Sequence, residues 1–350
     1  MKPQTLQKTA LALLVGWYAA NAAAYSEQGQ AGNTKSWESA EYLKDWGLTS
    51  MNASTAYALG FNGSGVKIGV MDSGVLLNHP EFQDGRIHVV KTEGTYSKDG
   101  MRYPDASVGN GPINKNEPVK NGKRNFDKTD NGIFTKGEAF NIDGAWHKYT
   151  NDAHGTHVGG TMAASRDGNE MHGVAFGANL YSANTGGNDN MTYGPNQDYS
   201  FFLQGYSALA DAGAKVINNS WGSNRRVNSS FAGALGYKPK YDWRDVPEYG
   251  VQYYDVPKAP EPISSPAAHI YLSNLGEAEK AYYQFVTSGE KNFVDAAYEV
   301  AKNKQVIQVF TAGNRSMMAE SFTRAMLPYF RPDAEKYWVN VTGQVGGEGY

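Results

Sequence analysis

The sequence predicts an α/β domain built on a parallel sheet with helices on both of its faces. Three observations predict it. Short apolar runs rich in Val, Ile and Tyr alternate with segments of helical apolar spacing along the chain. Those runs end repeatedly in Asp, Ser, Asn and Gly, which puts polar tips along one sheet edge, where ligands gather in such sheets. The chain has 350 residues, 40% hydrophobic and only 19% charged, enough apolar surface to bury a large sheet.

The elements follow in order. Lys2 and Lys8 flank the start of a short apolar run, TALALLVGWYAA, and the small residues of NAAAY come next. This reads as a secretory signal over residues 1–24, cut after Ala24, and is too short to span a bilayer. Residues 25–47 form a polar lead, and the main domain is expected over 48–350, starting with a short helical pattern at NASTAYALG. In SGVKIGVMDSG (64–74), Val66, Ile68, Val70 and Met71 predict a buried strand that Asp-Ser-Gly ends. Residues 91–143, dominated by Gly, Asn, Lys and Asp, read as a long surface insertion.

NDAHGTHVGGTMAAS (151–165) predicts a helix from His154. Gly159 and Gly160 would each cost about 1 kcal/mol against Ala in its interior. They imply a buried helix lying close to another backbone. A second strand is expected in ANLYSANTG (178–186) and a helix in 197–214, with a Gly near its end. KVINNSWGS (215–223) gives a third strand, and residues 224–270 a second irregular insertion rich in aromatics and Pro. Residues 276–303 are mostly helical with a break at Gly289, KQVIQVFTAGN (304–314) is a fourth strand, and KYWVNVTGQVG (336–346) a fifth.

A net charge of −3 with no basic block argues against nucleic acid or an anionic membrane surface as the main partner. Absence of cysteine excludes disulfides, thiolate metal sites and a cysteine nucleophile.

The polar tips carry the chemistry. His154 at a helix N-terminus meets a dipole that disfavours added positive charge, which suits a neutral general base. Asp72, at the end of an apolar run, could accept that ring's Nδ1–H and stabilise imidazolium as it forms. Asn314 follows a buried strand and a Gly, so its amide could donate to a developing oxyanion, worth about 2.7–4 kcal/mol where such a donor has been removed from an enzyme. Taken singly, Asp72 could be a strand-end turn acid and Ala-Gly-Asn a common turn. His157, at i, i+3 from His154, lacks the HExxH acid and a third ligand, and reads as a packed helix residue rather than half of a zinc site.

Together these motifs resemble the subtilisin-like serine proteases, the subtilases. VKIGVMDSG resembles the family's aspartate motif, HGTHVGGTMAAS its histidine motif, VINNSWG the strand that pairs with substrate backbone, and FTAGN the oxyanion-asparagine motif. The order Asp then His is also the family's. The resemblance implies a three-layer subtilisin-like fold, incomplete at the C-terminus. It also implies serine endopeptidase activity on a polypeptide substrate. Asp72 would orient the base, His154 would be the base, and Asn314 would line the oxyanion hole. Ser220, Trp221 and Gly222 would hydrogen-bond an extended peptide as an added strand, with Thr311, Ala312 and Gly313 facing the specificity pocket.

Asp72 and His154 stand 82 residues apart, and Ser220 and Asn314 94 apart, longer intervals than in compact subtilisins. With the signal and lead, these resemble the autotransporter proteases of Gram-negative bacteria, which implies export to the cell surface or beyond, with a C-terminal membrane barrel in the full-length protein. No cofactor is expected. The Asn-, Asp- and Gly-rich stretches NFDKTDNG (125–132) and GGNDN (186–190) have oxygen ligands for Ca²⁺ without EF-hand spacing, and a solvated loop is the simpler reading.

The family's serine lies in Gly-Thr-Ser-Met-Ala-x-Pro, and no such string occurs in these 350 residues. Ser316 lacks the Gly-Thr and Pro and follows Asn314 too closely. The expectation is a partial protease, inactive as this polypeptide. The alternative is a non-catalytic exported peptide-binding or adhesion module that uses the Ser220 tip and the aromatic insertion.

Overall fold

A computed structural model of the chain describes residues 29–101, 133–146, 153–185, 198–221, 243–246, 251–254, 291–311 and 327–341. In chain order the strands are β1 (Lys67–Asp72), β2 (Ile87–Val89), β3 (Lys91–Thr95), β4 (Gly100–Met101), β5 (Ile133–Phe134), β6 (Ala139–Asp143), β7 (Asn179–Asn184), β8 (Val216–Asn219), β9 (Trp243–Val246), β10 (Val251–Tyr254), β11 (Ile307–Thr311) and β12 (Trp338–Val341). The α-helices are α1 (Ala40–Lys44), α2 (Trp46–Ser50), α3 (Ala53–Ala58), α4 (His154–Ala163), α5 (Tyr199–Asp211), α6 (Phe293–Lys304) and α7 (Leu327–Phe330).

Six strands form one sheet in the order β12-β11-β8-β1-β7-β2, and every neighbouring pair is parallel. Strand β1 shows why it sits at the centre. Val70 faces one side, in a buried cluster with Val158 and Ala163 of α4 and Leu180 of β7. Met71 faces the other, among Phe202 and Tyr206 of α5, Ile217 of β8 and Phe310 of β11. A strand buried on both faces reads as an unbroken apolar run, as a covered parallel sheet requires. The expected three-layer α/β arrangement is what the chain adopts.

The long helices α5 and α6 start where the sequence supplies caps. Asp198 accepts from Phe201 N at 2.9 Å to open α5, which buries Phe201, Phe202, Gly205, Tyr206 and Leu209 on one stripe. Asn292 and Asp295 form a reciprocal capping box at the start of α6. That helix stops at Gln305 in the left-handed conformation, φ 56°.

Two expectations are corrected. Residues 91–143 are not an irregular surface insertion at their ends: β3 pairs antiparallel with β6, and β4 with β5. Thr92, Tyr96, Phe134 and Phe140 are buried, with Tyr96 stacked on Phe134 at 3.9 Å. Asp198 ties this arm to the helix it caps, its Oδ2 accepting from Ser97 N at 2.9 Å and Ser97 Oγ at 2.7 Å. The strands are too short for a period to show, and their apolar residues meet only after pairing. Residues 224–270 likewise contain an antiparallel pair, β9 with β10. The short edge strand β2 was not anticipated at all.

In the sheet β2 lies to one side of β1 and β11 to the other side of β8, so the strand order reverses between the neighbours β1 and β8, and in such sheets ligands gather at the carboxyl ends of the strands at that point.

Candidate active site

Asp72 is the last residue of β1 and is fully buried. Its Oδ1 accepts from the backbone N–H of Ser73 at 2.7 Å and lies 2.8 Å from Nδ1 of His154. His154 is the first residue of α4, with its side chain 35% exposed at the rim. A proton on Nδ1, shared with the carboxylate, leaves Nε2 as the basic nitrogen of a neutral ring. The pair is thus a buried acid orienting a rim imidazole.

Close backbone contact holds the two elements together. Gly155 N donates to Ser73 Oγ at 2.8 Å, so the residue after the acid satisfies an N–H in the first turn of the helix. Leu76 N donates to Thr156 Oγ1 at 3.0 Å. A Cβ on Gly155 would lie 2.5 Å from Gly74 O, and one on Gly74, whose φ is +88°, 2.5 Å from Ala145 O. Ser73, Gly74 and Gly155 are therefore as necessary to the geometry as the acid and the ring.

The tip of β7 completes the cradle. Thr185 N donates to Asp72 O at 2.7 Å, and Asn184 Nδ2 donates to Ala145 O at 2.9 Å. Neither Asn184 nor Thr185 was expected at the site, although their place as polar residues ending a buried strand is the signal that marked Asp72.

This arrangement of a strand-end aspartate, a helix-opening histidine and a parallel sheet is joined by one comparison that decides the family. The model of the subtilase family matches residues 63–344. The chain belongs to the subtilases. An extracellular serine protease of Serratia marcescens is 29% identical over 343 residues, 96% of this chain and 26% of that protein. Bacillopeptidase F of Bacillus subtilis (strain 168) is 28% identical over 275 residues, 73% of this chain and 16% of its own. This subtilase chain thus spans about a quarter or less of the length of these relatives. Among solved structures, fervidolysin from Fervidobacterium pennivorans aligns over 79% of this chain and 27% of its own at 18% identity, with a TM-score of 0.35.

The other expected site residues divide in two. Ser220 and Trp221 follow β8 directly and Thr311 ends β11, at the same sheet edge as Asp72. Ser220 Oγ accepts from Asn218 Nδ2 at 2.8 Å, and Trp221 is buried. Gly222, Ala312, Gly313, Asn314 and Ser316 lie outside the described residues, as do the stretches 125–132 and 186–190 considered for Ca²⁺. Among the described residues, no group of three or more His, Asp or Glu is placed to hold a metal ion. His157 lies on the exposed face of α4 and is not the packed residue expected.

Proposed function

We propose that these residues are the acid–base part of a serine endopeptidase site. Asp72 orients and charges against His154. Nε2 of His154 takes the nucleophile's proton and later returns it to the leaving amine. Asn314 donates to the tetrahedral oxyanion. The backbone of Ser220, Trp221 and Gly222 pairs with an extended polypeptide substrate, and Thr311, Ala312 and Gly313 border the pocket for the residue before the scissile bond. Acid, base and oxyanion donor are all side chains, so the chemistry needs no cofactor. The nucleophile comes from a Gly-Thr-Ser-Met segment, a string these 350 residues do not contain. Export through the N-terminal signal agrees with the extracellular description of the Serratia relative, and a C-terminal membrane barrel remains part of the autotransporter reading.

The observation that carries this reading is the 2.8 Å contact between Asp72 Oδ1 and His154 Nδ1 across 82 residues of a subtilase chain. The test compares peptide hydrolysis by the full-length gene product, by its His154→Ala variant and by residues 25–350 alone. Hydrolysis is expected only from the first. Losing the histidine or serine of the triad costs subtilisin about 2 × 10⁶ in kcat, so His154→Ala should be silent while melting at the parent temperature. Activity in His154→Ala, or in residues 25–350, overturns the assignment.

A further inference from the structure

The ladder between β1 and β8 ends early. Its register pairs Ile68, Gly69 and Val70 with Val216, Ile217 and Asn218, and goes no further. The carbonyls of β1 alternate in direction. That of Asp72 points to β7, where Thr185 N takes it, so that of Met71 points to β8. A continued ladder would satisfy it with β8 backbone. Instead the indole Nε1–H of Trp221 donates to Met71 O at 2.6 Å. The ring that delivers this donor is 4% exposed and lies 5.5 Å from Phe202 and 5.3 Å from Phe293, centroid to centroid.

We infer that Trp221 is a positioning residue for substrate: its side chain replaces the last backbone bond between β1 and β8, and so releases the backbone at Ser220 and Trp221 to pair with an extended peptide. A buried carbonyl must have a donor. If a β8 N–H supplied it, the β8 tip would be drawn onto β1 and that N–H would no longer be available to a peptide. The indole satisfies the carbonyl from the core side and leaves the β1–β8 ladder ended at Asn218. This inference rests on the protease reading and specifies how its substrate strand is presented.

The test uses the full-length gene product and two sets of substrates, one covering several residues before the scissile bond and one covering a single residue. Trp221→Phe keeps a ring against Phe202 and Phe293 but has no N–H. It should raise KM for the long substrates about fivefold to tenfold, the weight of one or two backbone hydrogen bonds. KM for the short substrates and kcat for both should stay near the parent values. Phe293→Leu loosens the packing but keeps the donor. It should lower the melting temperature and leave the long-to-short KM ratio alone. A Trp221→Phe effect equal on long and short substrates, or a ratio moved as much by Phe293→Leu, overturns the inference and leaves the protease reading standing. A parent protein that cleaves neither set defeats both. Should Trp221→Phe fail to fold, hydrogen exchange at the indole of the parent protein decides: protection supports the bond, and exchange as fast as an exposed indole overturns it.

Discussion

Burial in this fold shifts individual side chains towards their neutral forms. Glu81, at the start of the segment leading to β2, is the clearest case. Burial, then the nearby carboxylates Asp167, Glu41, Glu170 and Asp84, push its acid up to about 7 from 4.5. The unfolded chain releases this proton near pH 4.5 and the folded chain only near 7. Folding therefore binds a proton across that window, and stability falls as pH rises through it. Because the side chain is partly solvated, the loss is on the order of 1–2 kcal/mol, below the full linkage value. Glu81→Gln, which mimics the protonated acid, should match the parent at pH 4 and exceed it at pH 8 in urea midpoint. An equal gap at both pH values would refute the assignment. His172 has the opposite sign. Burial lowers its affinity for a proton, so it opposes folding as pH falls below 6.5.

At the scale of the element, α4 shows how two glycines in one helix differ in purpose. The HGTHVGGT stretch led to the expectation that Gly159 and Gly160 mark close backbone approach. The tight contact is one turn earlier, at Gly155 against Gly74, while a Cβ on Gly160 meets nothing within 4 Å. Gly160→Ala should then stabilise the protein by about 0.4–1 kcal/mol, through helix propensity and a less flexible unfolded chain. Gly155→Ala should drive α4 off the tip of β1, lower the melting temperature and separate His154 from Asp72. Calorimetry on the pair reads the contrast; a destabilising Gly160→Ala or a neutral Gly155→Ala would contradict it. Periodicity located the helix and its burial, because the apolar spacing is local. It could not say which glycine touches a backbone, because that backbone is 82 and 81 residues away in Ser73 and Gly74.

Over the whole molecule, the N-terminal lead is packed into the fold. Trp37 and Tyr42 join Leu48, Tyr57 and Phe176 in one aromatic cluster, with His172 at its edge. Tyr57 OH donates to Val174 O at 2.8 Å, and the buried carboxylate of Glu41 accepts from the backbone N–H groups of Asp167 and Gly168, each at 3.1 Å. The Glu41 bonds fasten the lead, and the Tyr57 bond fastens α3, to the segment that follows α4. Glu41→Ala strips an acceptor from two N–H groups and should cost about 1–3 kcal/mol. It should also speed proteolytic clipping within residues 29–60; unchanged resistance would show that the aromatic contacts suffice. Composition marked the lead as polar and mixed, and it gave no warning of this docking, since Trp37, Glu41 and Tyr42 reach partners more than a hundred residues downstream.

By itself the sequence determined the class of fold, the core strands with their polar tips, and an acid and an imidazole of the right kind at two of those tips. These follow from short-range facts: side-chain alternation, helical spacing, caps and turn residues act within a few positions. Only the tertiary structure decided the strand order, the meeting of Asp72 with His154, the pairing hidden in the insertions and the reach of Trp221 to Met71. Each of those depends on which distant surfaces bury one another, and that free energy exists only once the sheet has assembled.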